Sequence, residues 1–297
     1  MLPLTKEEAR VITGRASTVL ARKLGGELLR LREAAGLTQP QAAAALSATA
    51  AKVAKMERGW VPIREPDIRA LCKLYGEEDE AVIERLLAIA KADRERRKAK
   101  GWWNQYPQLP AMVEYVALED IATSIRTWQV AIIPGLLQTP DYARALVVGN
   151  GLWDDPNVIE PFVESRTARQ ARLGGENPLD LWAVVHEGAL RQLVGGSEVM
   201  RAQLGHLRDM AQQSNVSLQV LPYHAGAHPG MTSAFSVVSF AEPGALDVVH
   251  VDTTSSTLWL ESDTDADHHN GLFERIARLS LAQRNSVKLI EGIMKET

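Results

Sequence analysis

A single cysteine, Cys72, stands in 297 residues. A disulfide within the chain and a cysteine-rich metal site are therefore excluded. Long hydrophobic runs are missing too: none approaches the ~18 apolar residues of a membrane-spanning helix. The opening MLPLTKEEARVITGR has no apolar stretch, so a secretory signal is not expected there. Three signatures of chemistry do not occur: a serine elbow, a phosphate-cradling glycine loop and a dinucleotide fingerprint. Glycine pairs such as that in RLGGEN read as turns, and there is no internal repeat or low-complexity segment. What is there is an ordinary globular composition, 45% hydrophobic and 24% charged. The length suits about two domains, and the expectation is a soluble cytoplasmic protein.

Net charge is −4, but the average hides a split. Residues 1–101 carry 20 Lys and Arg against 14 Asp and Glu; residues 102–297 carry 13 against 23. A front of +6 and a back of −10 indicate two modules, the first suited to facing phosphate.

The front is expected to be all-helical. ARKLGGELLRLREAAG places Leu24, Leu28, Leu31 and Ala35 on one stripe, ended by Gly36. Thr38 is a helix cap, with Pro40 in the first turn, where its missing N–H is harmless. Thr49 caps a second short helix, Ala50–Arg58, stopped by Gly59. REPDIRALCKLYG puts Ile68, Leu71, Cys72 and Tyr75 on one face, and a longer helix runs to about residue 100, acidic at its start and basic at its end. The aromatic and prolyl stretch GWWNQYPQLP marks the boundary. The layout is a 1–20 extension, a five-helix domain over 21–100 and a second domain over 101–297.

The second domain mixes elements. Thr139-Pro140 and Asp155-Pro156 open helices, the latter to about Leu173. LDLWAVVH, VSLQVLP, AFSVVSF, LDVVHVD and TLWLE read as strands, and SEVMRAQLGHLRDMAQQ as a helix packed through Met200, Leu204, Leu207 and Ala211. A last helix is expected from about Asp267 to Met294. Several strand connections are too short for helices, so an α+β domain with an antiparallel or mixed sheet is expected.

LTQPQAAAALSATAAKVAKMERG meets the physical needs of a helix-turn-helix. Ala43 lets the helices cross closely, Ser47 and Ala48 fit a tight turn, and Leu46, Val53 and Met56 pin the second helix to the first. These residues resemble the Cro/repressor-type helix-turn-helix of the Xre family, down to the Glu57-Arg58-Gly59 ending. Ser47 stands where that family commonly has Gly, and Ala42 where Leu is common. The resemblance implies double-stranded DNA as partner, with Thr38 and Gln39 near the backbone. Thr49, Ala50, Ala51, Lys52, Lys55 and Arg58 then form the DNA-facing set. Ala50 and Ala51 offer no hydrogen bonds; they touch thymine methyls and allow close approach. A reader so sparsely equipped needs two copies on a palindrome, hence a homodimer, or help from DNA shape. The alternative is a helical hairpin used for protein contact alone. The run KADRERRKAKG is either a phosphate contact or a solvated helix end.

Trp102-Trp103, Glu119, PGLLQT (134–139), Tyr142-Ala143-Arg144, EGALRQLVGG, NVSLQVLP and GAHPGM together resemble the domain of unknown function found in actinobacterial regulators described as antitoxin-like, of the Scr1 type. That resemblance implies a nucleoid-associated transcriptional regulator, many relatives being encoded beside a small partner protein. Its second domain would sense an effector or such a partner. The alternative is an antitoxin-like protein that sequesters the partner and binds DNA only to regulate itself.

Read from the residues, IPGLLQTPDY builds a buried turn into a capped helix, or else Trp102, Trp103, Glu119, Gln138 and Tyr142 wall an effector or partner pocket. Arg166, Arg169 and Arg172 share a helix face, solvated or ion-paired, or an anion site. His224 and His228 have zinc-like spacing but sit among glycines with no third ligand, and read as a loosely held loop. Asp263, Asp265, Asp267 and Glu274 match calcium-loop spacing, yet His268 replaces the required Gly, so an acidic helix start is expected. The expectation is a regulator, not an enzyme, with no cofactor, metal or membrane partner.

Overall fold

The computed structural model describes residues 19–98, 110–151, 155–241, 247–253, 257–260 and 262–297. The chain splits into two compact units near residue 101.

In the first unit the described residues form five helices: α1 Val19–Ala34, α2 Gln39–Ala45, α3 Ala50–Glu57, α4 Glu65–Tyr75 and α5 Glu80–Lys98. α1 packs against α3, α4 and α5. Its buried stripe is Leu20, Ala21, Leu24 and Leu28. Leu31 is half-buried and Ala35 exposed, so the expected stripe runs out where α1 reaches the edge of the bundle. Val53 and Met56 of α3, Ile68, Leu71 and Cys72 of α4, and Leu86 and Ile89 of α5 complete the core.

Two glycines make the packing of α1 on α3 tight. A Cβ on Gly25 would stand 2.5 Å from the carbonyl oxygens of Met56 and Glu57. Gly59, just past α3, has φ +69°, and a Cβ there would stand 2.5 Å from the backbone nitrogen of Arg22. Backbone therefore meets backbone at both positions, because no side chain intervenes.

The second unit holds a six-stranded sheet ordered β3-β2-β1-β4-β5-β6, with β1 Ser124–Gln129, β2 Asp180–His186, β3 Val216–Leu221, β4 Phe235–Ser239, β5 Val248–Asp252 and β6 Thr257–Leu260. β1, β2 and β3 run parallel; β4, β5 and β6 add antiparallel pairs. The sheet is thus mixed, as expected. Its helices are α6 Pro110–Ile121, α7 Pro140–Gly149, α8 Pro156–Arg169, the short α9 Glu187–Arg191, α10 Ser197–Met210, α11 Asp263–Leu279 and α12 Gln283–Glu296.

Strand alternation divides the sheet into two faces. On one, Trp128, Val184, Phe235, Val237 and Val249 pack against Phe273 and Ile276 of α11. Trp128 Nε1 donates to the Gly230 carbonyl at 2.8 Å. On the other, paired residues form a row across four strands: Ala183, Thr127, Ser236 and His250, continued by Trp259 of β6.

The sequence pattern signals neither α6 nor β1 nor the short α9. The single C-terminal helix is two: α11 ends at Leu279, and the Leu281 N–H donates to the Val220 carbonyl of β3 at 2.9 Å, so the chain turns onto the sheet before α12 starts.

Candidate nucleic-acid interface and an arginine-lined cavity

The helix-turn-helix is α2, a turn and α3. Gln41 closes the start of α2, its side-chain oxygen accepting from the Thr38 N–H and hydroxyl at 2.8 Å each. Thr49 Oγ1 accepts from the Lys52 N–H at 3.2 Å, which caps α3. Between them Ser47 adopts φ +48°, the one positive value outside glycine among the described residues. That left-handed conformation is what lets the chain reverse in so few residues, and it disfavours any side chain.

α3 shows two faces. Val53 and Met56 are buried, whereas Ala51, Lys52, Lys55 and Arg58 are exposed and Ala50 half-exposed. The Arg58 guanidinium lies 5.2 Å over the ring of Trp60, itself half-exposed beyond the helix end. Cations and small residues thus share one surface, of the kind a major groove accepts.

Glu57, by contrast, turns inward. Arg32 of α1 donates to it through Nε at 2.6 Å and a terminal nitrogen at 3.1 Å, and both side chains are buried. Arg32 also reaches the Leu37 carbonyl at 2.7 Å, and the Gln39 amide donates to Glu57 at 2.8 Å. The hydrogen bond to Glu57 raises the pKa of Arg32 against the opposing pull of burial. Gln39 therefore spends a donor on Glu57 and is half-buried.

In the second unit α8 carries Arg166 and Arg169, with Arg172 just beyond its end. Arg169 makes a fully buried two-pronged bond to Glu119 of α6, at 2.8 and 2.7 Å. Arg172 donates to the carbonyls of Glu119, Ala122 and Asn177. These two clamp α6 and the following turn to α8. Arg166 stands apart: its guanidinium lies 4.9 Å over the Phe162 ring, and its buried Nε has no hydrogen-bond partner. Burial, with Arg169 nearby, lowers its pKa to about 10, so it stays charged at neutral pH.

Arg166 and Arg169 line a cavity of about 520 Å³, floored by Gln129, Ser236 and His250 and walled by Tyr115. Thr127 and Ser236 hydroxyls meet at 2.9 Å beneath it, and Gln129 donates to Thr127 at 3.0 Å. The Tyr115 ring lies 4.5 Å from that of His250 and sits under the Arg169 guanidinium. Burial, then Glu119, raises the Tyr115 pKa, so the phenol is a neutral hydrogen-bonding group. At the rim His250 lies 3.3 Å from Asp252, and that hydrogen bond lowers the carboxylate's pKa. Ile132 and Met231 give the mouth an exposed apolar edge.

Comparison with known families places both units. A family described as a domain of unknown function (DUF5753) matches residues 112–292, and one described as a helix-turn-helix domain matches residues 23–86. The chain belongs to the DUF5753 family. No curated protein and no solved structure matches the chain. The helix-turn-helix match supports a DNA-binding regulator. Among the described residues, no helix is long and apolar enough to cross a membrane.

Of the expected pocket residues, the three that the structure describes, Glu119, Gln138 and Tyr142, are buried and bonded within the fold. Tyr142 is buried, its hydroxyl accepting from the Ile133 N–H at 3.2 Å. Gln138 is buried, donating to the Ile133 carbonyl at 2.7 Å, and Glu119 is consumed by Arg169. Gln203 of α10 closes the same turn, accepting from the Thr139 N–H and donating to the Leu137 carbonyl, both at 2.7 Å. IPGLLQTPDY is thus a buried turn into a helix capped by Thr139. Trp102 and Trp103 lie outside the described residues, as does the end of KADRERRKAKG. On the arginine face Arg169 is ion-paired to Glu119 and Arg172 is bonded to the carbonyls of α6 and the turn after it.

The histidine loop is less loose than expected: His228 packs edge-on against Trp128 at 5.4 Å, though His224 is exposed. The acidic segment does start a helix, α11, with Ser262 as its cap. Among the described residues no three His, Cys, Asp or Glu side chains group as metal ligands. Tyr115, Gln129 and His250 line the cavity without being among the residues the sequence singles out. His250 has a signal in the strand-like run LDVVHVD, whereas Tyr115 and Gln129 lie on α6 and β1, which the sequence pattern does not reveal.

Proposed function

We propose that this chain is a sequence-specific transcriptional regulator of Xre type: α3 enters the major groove and the DUF5753 domain senses an effector. The observation that carries this is the exposed Ala51, Lys52, Lys55 and Arg58 surface on a helix whose opposite face is locked by Val53, Met56 and Glu57. Ala50 and Ala51 meet thymine methyls, Lys52 and Lys55 meet base edges or phosphates, and Thr38 meets the backbone. Gln39 has its second amide hydrogen and its carbonyl oxygen for DNA once one hydrogen is given to Glu57. Two chains bind a palindrome as a homodimer, since one such helix covers only a half-site. The +6 front supports phosphate contact, and the −10 back keeps the sensing domain off the DNA.

Footprinting the full chain on the DNA upstream of its own gene, across a salt series, tests this. The proposal expects a symmetric protected site and affinity that falls steeply with salt. Uniform, sequence-independent protection would refute specific reading.

A further inference from the structure

We infer that the cavity between α6, α8 and the sheet binds a small amphipathic monoanion of the organic-acid class, its charged end received by Arg166. This deepens the reading of the DUF5753 domain as a sensor and rests on it.

The three arginines differ in how they are satisfied. Arg169 has Glu119, and Arg172 has three carbonyls. Arg166 has a phenyl ring beneath it and, among the described residues, feels Glu119 and Asp252 only as longer-range charges, not as contact ion pairs. A half-buried cation whose buried Nε has no partner, and whose counter-charges on Glu119 and Asp252 act only from beyond contact, gains from an anion that reaches it directly. The fold even makes room for its position: a Cβ on Gly135 would stand 2.7 Å from an Arg166 terminal nitrogen. The guanidinium is thus seated on bare backbone at the cavity wall.

The surroundings select the ligand. About 520 Å³ suits a metabolite-sized molecule and not a macromolecular segment. From the floor Gln129 offers the amide hydrogen it does not give to Thr127, beside the Ser236 hydroxyl that is shared with Thr127. Asp252, held ionised at the rim by His250 and Thr257, opposes a polyanion. Val130, Ile132 and Met231 receive an apolar body. A single carboxylate on an aromatic or aliphatic frame meets all of these.

Titration calorimetry on the full chain tests the inference, with naphthoate as probe and naphthalenemethanol as its uncharged counterpart. Naphthoate should bind at least about tenfold more tightly than the alcohol, the worth of one charge-assisted pair. Arg166→Gln should remove that preference and leave the alcohol's affinity unchanged. Gly135→Ala keeps the charge but displaces the guanidinium, so it should weaken naphthoate as well; it serves if Arg166→Gln does not fold. No binding of either probe, equal affinity for both, or full naphthoate affinity in both variants overturns the inference. The readout involves no DNA, so its failure leaves DNA reading intact, and a failed footprint leaves the cavity's chemistry intact.

Discussion

Arg32 on α1 and Glu57 at the end of α3 are joined by two hydrogen bonds, 2.6 and 3.1 Å long, although 25 residues separate them. The pair ties the C-terminal end of α3 to the scaffold, while Thr49 caps its N-terminal end. Glu57→Ala would strand a buried guanidinium and should cost about 3–5 kcal/mol of stability. Replacing both partners together, Arg32→Met with Glu57→Leu, should recover most of that loss. Urea denaturation of the two variants reads the difference; a single-variant loss below about 1 kcal/mol would show the pair to be peripheral.

Ser47 bears the opposite kind of signature, a side chain where the backbone wants none. Its φ of +48° costs a non-glycine residue about 1–2 kcal/mol, part of which glycine gives back through its freer unfolded chain. Ser47→Gly should therefore stabilise the helix-turn-helix by roughly 0.5–1 kcal/mol, seen as a raised melting temperature. A lowered melting temperature would mean that the turn is built differently.

Gly25 and Gly26 are neighbours with opposite expectations. Alanine at Gly25 would press on the Met56 and Glu57 carbonyls, whereas at Gly26 it meets nothing within 4 Å. Gly25→Ala should destabilise and shift α3. Gly26→Ala should stabilise by up to about 1 kcal/mol through helix propensity. Equal effects in denaturant melts would contradict the close approach.

How much of the molecule is legible in the sequence follows from how local each feature is. The caps at Thr38, Thr49, Thr139 and Asp155, and the buried periodicity of α3, α4 and α10, depend on neighbours in the chain and are readable there. Strand β1 is not: Thr127 and Trp128 are both buried, on opposite faces, so its apolar pattern does not alternate. The split between α11 and α12 comes from a hydrogen bond to β3, invisible without the fold. The role of Arg169 depends on Glu119, 50 residues away, and that of Glu57 on Arg32. For the same reason the sequence points to Gln138 and Tyr142 as pocket residues, when the backbone of Ile133, five and nine residues away, takes up the Gln138 amide nitrogen and the Tyr142 hydroxyl inside the fold.

The DUF5753 domain should weaken in mild acid. Burial holds the pKa values of His206 and His228 below the ordinary 6.5, aided at His228 by His186. His206 Nε2 and His228 Nδ1 are buried without hydrogen-bond partners. The unfolded chain takes up these protons first, so stability is highest above about pH 6.5 and declines as pH falls through it. Asp252, Glu160 and Glu187 have lowered pKa values and titrate below that window. Melting temperatures from about pH 7.5 to about pH 5.5 should fall, and fall less in the His206→Gln, His228→Gln double variant. An identical decline in the variant would assign the effect elsewhere.

The measurement that bears most directly on the account is binding of the full chain and its Ala51→Glu variant to a duplex selected from a random pool, followed by fluorescence anisotropy. Ala51 is exposed on α3, so folding should be unchanged. A carboxylate placed in the groove should abolish specific binding, and Lys52→Ala with Lys55→Ala should weaken it by about 1–3 kcal/mol for each lysine removed. Undiminished affinity in the folded Ala51→Glu variant would contradict the central claim that this helix face reads DNA.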